Sequence, residues 1–232
     1  MQPPIHLENQ QRLEIRQQQR VHVAWSIALT MRVTFAHGLW SGVNSGKAAW
    51  MREQGWDVVA VDMRKYGWDQ AHQTQALLDV IDEEGPFDLL IGSSFGGLAT
   101  ANAAAQRPEL DLRLVLLAPA FGYGDLISAT LGSEAMAAWK ATDMHSFTPP
   151  GWDEPVVLPW SFADISSKMG WPELPHPTAI LHGTQDDVVP IAHSERAVAN
   201  HPHVTLHPVN DGHRLHDSLE HLHSLAQSVL ES

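Results

Sequence analysis

The run Asp88-Leu89-Leu90-Ile91-Gly92-Ser93-Ser94-Phe95-Gly96-Gly97 leads a short apolar strand into a glycine-rich turn, and a helical pattern opens directly behind it over 97–107. A strand over 88–92 that is apolar almost throughout belongs to a sheet covered by helices on both faces, as parallel sheets are. The turn spells G-x-S-x-G, with Ser94 at the serine position and Ser93 at the variable one. On a sharp strand-to-helix turn a serine hydroxyl is held above the sheet edge, and small neighbours are needed because larger ones collide across the turn. Ser94 is the candidate nucleophile.

Outward from this turn, short β-branched and leucine-rich runs alternate with longer helical patterns. Strands are expected at 32–36, 57–61, 88–92, 113–118, 177–182 and 203–207, and helices at 43–54, 69–84, 97–107, 191–200 and 216–230. In the last helix Leu219, Leu222, Leu225, Ala226 and Val229 recur at helical spacing. The alternation predicts a doubly wound α/β fold, a mainly parallel sheet with helices on both faces. One connection, 119–176, is far longer than the ~10–12 residues a crossover can need. It carries Trp139, Trp152, Trp160 and Trp171, a helical stretch around 127–140 and a segment broken by Pro149, Pro150, Pro155 and Pro159. Ligands of such sheets bind beyond the carboxyl ends of the strands, where this insertion is expected to lie as a cap. The main domain is read over 31–232. Residues 1–30 form an N-terminal extension, either a tail or an added strand in which Val21, Val23, Trp25, Ile27 and Leu29 alternate with smaller or polar residues.

Composition narrows the function. The 232 residues are 44% hydrophobic and 18% charged, as suits a packed globule. A formal charge of −13 without a basic run disfavours nucleic acid, whose phosphates require clustered Lys and Arg. The lack of cysteine removes disulfides, thiolate nucleophiles and cysteine metal sites together. No window approaches the ~20 apolar residues of a membrane span, and no small-x-small cleavage site follows the apolar stretch 21–31, so a cytoplasmic location is expected.

A serine hydroxyl is a poor nucleophile at neutral pH and needs a base oriented by an acid. Asp186 and Asp187 lie in the block His182-Gly183-Thr184-Gln185-Asp186-Asp187-Val188-Val189-Pro190 after the fifth strand, and Asp211-Gly212-His213 follows the sixth. The anion formed on an attacked carbonyl needs backbone N–H donors from the residue after the nucleophile and from the loop after the first strand. These are Phe95 and Leu39, the latter in Phe35-Ala36-His37-Gly38-Leu39-Trp40.

In order and spacing, His37-Gly38, Asp62-Met63-Arg64, Gly92–Gly97, 182–190 and Gly212-His213 resemble the α/β-hydrolase fold superfamily, of the small serine esterase or thioesterase type. The resemblance covers residue 32 to the C-terminus apart from the insertion. It implies the order Ser94, Asp186, His213, with the acid four residues after the histidine of the His-Gly loop. It further implies a cofactor-free hydrolase whose partner is a small-molecule ester or thioester. Trp40, Trp160 and Trp171 are the candidate substrate-lining residues. A ligand-binding, non-catalytic member of the same fold and an amide-cleaving hydrolase are the alternatives. Where many relatives place Gly after Asp-x-Arg, this chain has Lys65.

Other patterns carry less. Gly42-Val43-Asn44-Ser45-Gly46-Lys47-Ala48 is one residue short of a phosphate loop and has Ala48 where a hydroxyl would hold magnesium, so Lys47 is expected to be solvated in the first turn of a helix. Among the 15 histidines there is no H-E-x-x-H, and no metal site is expected. His37 and His182 read as structural neighbours of their loops, and Asp62 with Arg64 as an ion pair or hydrogen-bonded pair at a strand end.

Overall fold

The six strands read from residue 32 onward all form, and their parallel arrangement brings their carboxyl ends to one edge. The computed structural model describes residues 30–199 and 201–232, so the N-terminal extension, apart from Thr30, lies outside the described residues. Strands β1 (Arg32–Ala36), β2 (Asp57–Ala60), β3 (Leu89–Ser93), β4 (Leu114–Leu117), β7 (Thr178–Gly183) and β8 (Val204–Val209) build one sheet in the order β2-β1-β3-β4-β7-β8. All pairs in it are parallel. The order of connection reverses between β1 and β3, which makes the edge above them the place where loops diverge and leave a crevice.

Strand periodicity sorts the core into two layers. Leu90, Leu114, Leu116 and Ile180 face one side with Ala76, Leu77 and Ile81 of α2 (Gln70–Glu84) and Leu98, Ala101 and Ala104 of α3 (Phe95–Ala105). Leu89, Ile91, Val115, Leu117, Ala179 and Leu181 face the other, against Ala48 and Met51 of α1 (Gly46–Glu53) and the leucine stripe of α7 (His221–Leu230). Central strands β3, β4 and β7 are buried along their whole length, as their unbroken apolar runs predict.

Boundaries differ from the sequence reading where side chains intervene. Helix α1 starts at Gly46 rather than 43 because the Ser45 hydroxyl accepts a hydrogen bond from the Ala48 amide and caps it. Helix α7 starts at His221 rather than 216 because Asp211 holds 211–218 as a loop, accepting from Gly212, Asp217 and Ser218. Helix α3 starts at Phe95, two residues early, since the serine turn feeds straight into it.

The insertion is more ordered than its prolines suggest. It comprises α4 (Tyr123–Thr142), kinked at Gly132, an antiparallel hairpin of β5 (His145–Phe147) with β6 (Val156–Leu158), and α5 (Trp160–Lys168) with Pro159 as its N-cap. Pro149, Pro150 and Pro155 fall in the hairpin loop. Its core, with Ile127, Trp139, Leu158, Phe162 and Ala163, packs on Leu39, Ala120 and Val189 from loops at the carboxyl edge of the sheet and on Phe95 at the start of α3. Trp139 is 1% exposed and donates its indole N–H to the Leu158 carbonyl at 3.0 Å, which satisfies its one polar atom. Helix α6 (Ile191–Val198) completes the β7–β8 crossover. Among the described residues no helix is long and apolar enough to cross a membrane.

Candidate active site

Ser94 sits at φ 55°, ψ −120°, a conformation that costs a non-glycine residue on the order of 1–3 kcal/mol and persists only when its surroundings enforce it. Here the enforcement is visible. The Ser94 amide donates to the Leu117 carbonyl of β4 at 2.9 Å, while its own carbonyl accepts from Leu98 and Ala120. The flanking glycines admit a close approach of backbones. A Cβ at Gly96 would lie 2.4 Å from the carbonyl oxygens of both Ala36 and His37, and one at Gly92 would lie 2.3 Å from Thr100 Oγ1. Helix α3 thus packs directly on the end of β1, and only glycine fits there.

Above this turn, loops from two further strands bring their side chains to the serine. His213, after β8, has Nε2 2.9 Å from Ser94 Oγ and Nδ1 2.7 Å from Asp186 Oδ2. Asp186, after β7, has a fully buried side chain. Its Oδ1 accepts from the amides of Val188 and Val189 at 2.9 and 2.8 Å, and its Oδ2 also lies 3.1 Å from His182 Nε2. Burial would push this carboxyl up, but hydrogen bonds from His182, His213 and Val189 outweigh it and hold the group well below the usual carboxylate range. An ionised Asp186 fixes the proton of His213 on Nδ1, and Nε2 of the neutral ring is then free to accept the serine proton.

His182 anchors this arrangement. Its Nε2 is shared between Asp186 and the Val189 carbonyl (2.9 Å), both acceptors, and its Nδ1 meets Ser194 Oγ of α6 at 2.8 Å. Asp187 is exposed and Asp211 is occupied with its own loop, so of the three carboxylates only Asp186 reaches the histidine. Lys47, expected in solvent, instead donates to the Arg214 carbonyl at 2.7 Å and ties α1 to the His213 loop. Burial lowers its pKa to about 8.

Phe95 follows Ser94 as the first residue of α3, and Leu39 lies in the loop after β1. The Phe95 amide opens α3 and so has no intrahelical acceptor, and the loop carrying Leu39 runs close enough that a Cβ at Gly38 would lie 3.4 Å from Ser94 Cβ. The tryptophans divide. Trp40 lines a cleft of about 600 Å³ beside this loop, together with His37, Asn44, Asp62, Arg64 and Trp152. Trp160 packs edge-on against Trp139 under the Lys140 ammonium, and Trp171 stacks on Phe121 beneath Arg196. Neither is among the residues that line this cleft. Asp62 and Arg64 form no ion pair with each other: the Asp62 carboxylate accepts from the Arg64 amide at 3.2 Å, while the guanidinium lies over Trp68 and Trp152. Trp152 was noted in the sequence only as one of the insertion's tryptophans, and nothing local to it announces the cleft.

Among the described residues no group of three or more His, Asp or Glu could hold a metal ion. A family model described as the alpha/beta hydrolase family matches residues 35–226. The chain belongs to this family. A search among curated proteins gives no match. Solved structures similar to this α/β hydrolase include the mouse alpha/beta hydrolase domain-containing protein 10, with 19% identity, 90% of each chain covered and a TM-score of 0.69. Another is Est1E from Butyrivibrio proteoclasticus with ferulic acid bound, with 19% identity, 87% of each chain covered and a TM-score of 0.67. A monoacylglycerol lipase from Paleococcus ferrophilus is 18% identical over 87% of this chain and 94% of its own, with a TM-score of 0.62. At such identities the likeness speaks for the fold alone, not for an activity or a substrate.

Proposed function

We propose that this α/β hydrolase cleaves carboxylic esters or thioesters through an acyl-enzyme on Ser94. The observation that carries the reading is the unbroken hydrogen-bonded series from Ser94 Oγ through both nitrogens of His213 to the buried Asp186. Ser94 Oγ attacks the acyl carbon as His213 Nε2 takes its proton, and Asp186 stabilises the imidazolium. The amides of Phe95 and Leu39 receive the oxyanion. The tetrahedral adduct collapses, the bond to the alcohol or thiol breaks, and the leaving group departs with the proton from His213. Water then enters, gives a proton to His213 and attacks the acyl carbon, and collapse returns that proton to Ser94 and frees the acid. A lipase among the structural neighbours supports an ester substrate.

The test is hydrolysis of p-nitrophenyl acetate and of a simple acetyl thioester by the parent protein and by Ser94→Ala and Ser93→Ala. Loss of the nucleophile of a serine protease costs on the order of 10⁶ in turnover. The Ser94→Ala variant should fall to background on both substrates with its circular dichroism unchanged, and Ser93→Ala should keep measurable turnover. Activity retained in Ser94→Ala would overturn the reading.

A further inference from the structure

Arg64 is not used by the chemistry above, yet its position is built with care. It leaves the end of β2 in the β2–α2 loop and lays its guanidinium over the rings of Trp68 and Trp152, with 5.0 and 5.8 Å to the ring centroids. Among the described residues it has no ion-pair partner, and its buried Nη1 has no hydrogen-bond acceptor. A buried guanidinium N–H without an acceptor loses its hydration uncompensated, so a site that keeps one is suited to receive an acceptor from elsewhere.

A second orphan belongs to another residue that lines the same cleft. His37 is 1% exposed, its Nδ1 donates to the Gly38 carbonyl at 2.9 Å, and its Nε2 has no partner. Burial lowers the pKa of this ring, so Nε2 carries a lone pair at neutral pH and seeks a donor. Both residues line the cleft of about 600 Å³, whose other walls are Trp40, Trp152, Ser41 and Asn44. Asp62 on its rim is the one carboxylate in this lining and is exposed. Trp40 follows Leu39 directly, so the cleft begins one residue beyond the amide assigned to the oxyanion. Trp40, Trp68 and Trp152 contact one another with centroids 5.6–6.5 Å apart, tilted by 48–69°, and form an aromatic cluster beside the cation.

We propose that this cleft is a substrate subsite that binds an oxyanion, a carboxylate or phosphate carried by the ester, on Arg64, with the adjoining part of the ligand against Trp40 and Trp152. A planar guanidinium already immobilised on two indoles loses little further freedom on meeting such a group, and its fork matches two oxygens. A hydroxyl on the same ligand would satisfy His37 Nε2. The inference rests on the ester-hydrolase reading for its meaning as a substrate subsite, but the binding itself is independent of turnover.

Binding is therefore measured first, by tryptophan fluorescence on the Ser94→Ala protein, titrated with benzoate, phenyl phosphate and neutral benzamide. Benzoate or phenyl phosphate should bind saturably and at least about ten-fold more tightly than benzamide, the scale of a charge-assisted hydrogen bond. The preferred one of the two identifies the oxyanion. Arg64→Gln should abolish the preference, and Arg64→Lys, which keeps the charge without the fork, should restore part of it. Equal binding of benzoate, phenyl phosphate and benzamide, or an oxyanion preference that survives Arg64→Gln, would overturn the proposal. In the active protein, 3-acetoxybenzoate should then lose about ten-fold or more in kcat/KM on Arg64→Gln while phenyl acetate changes little. If neither ester is hydrolysed by the parent protein but the oxyanion preference stands, the hydrolytic reading fails and the binding site does not.

Discussion

Asp186 and Asp187 are adjacent in the chain and opposite in circumstance. The first has a fully buried side chain that meets two imidazoles and two amides, and the second is exposed. Replacing an acid that sets the tautomer of a catalytic histidine costs about 10⁴ in turnover, whereas an exposed carboxylate near a helix start contributes under roughly 1 kcal/mol. Asp186→Asn should therefore lose on the order of 10⁴ in kcat on an activated ester and Asp187→Asn little, by direct kinetic comparison. Equal losses would point to a different acid. The same carboxylate shapes the acid limb of stability. Its pKa is lowered by folding, so its stabilising contribution is complete above the ordinary value of 3.8 and is lost as pH falls from there through the folded value. Urea unfolding between pH 3 and 7 should show the parent protein losing its margin over Asp186→Asn below about pH 4. A margin constant with pH would mean that Asp186 is not held ionised.

At the scale of the element, β3, the serine turn and α3 behave as one rigid piece whose geometry depends on missing side chains. Gly96→Ala puts a methyl 2.4 Å from two carbonyl oxygens of β1 and the loop after it, and backbone cannot yield as a flexible side chain does. Overpacking of this kind costs typically about 1–3 kcal/mol. Thermal unfolding of Gly96→Ala should show a lower Tm, and because the displaced segment carries both Ser94 and the His37–Leu39 loop, kcat should fall even well below the transition. A normal Tm with normal kcat would mean that α3 is free to shift from β1. The insertion shows the same dependence in reverse. Its hairpin and α5 were hidden from sequence reading because β5 and β6 are three residues each, too short for a period to emerge, and because Pro159, which looks like a breaker, serves as an N-cap.

Across the whole molecule, what could be read in advance was what is written locally. Unbroken apolar runs such as Leu89–Ser93 and Leu114–Leu117 announce strands covered on both faces, and the glycines around Ser94 announce the turn. Ser94, Asp186 and His213 were legible because each follows a recognisable strand, although 119 residues separate the serine from the histidine it meets. The cleft was not legible. It joins Trp40 from one loop, Arg64 from a second and Trp152 from the hairpin of the insertion, and only the folded arrangement brings indoles and guanidinium together. Trp160 and Trp171, equally prominent in sequence, do not line the cleft: composition tells nothing of direction. The central claim, that His213 and Asp186 make Ser94 Oγ the nucleophile of this α/β hydrolase, is tested most directly by labelling with a fluorophosphonate and mapping the adduct by peptide mass spectrometry. The account predicts a single adduct on Ser94, absent from Ser94→Ala and formed far more slowly in His213→Ala, whereas an unlabelled protein, an adduct on Ser93, or labelling indifferent to His213 would contradict it.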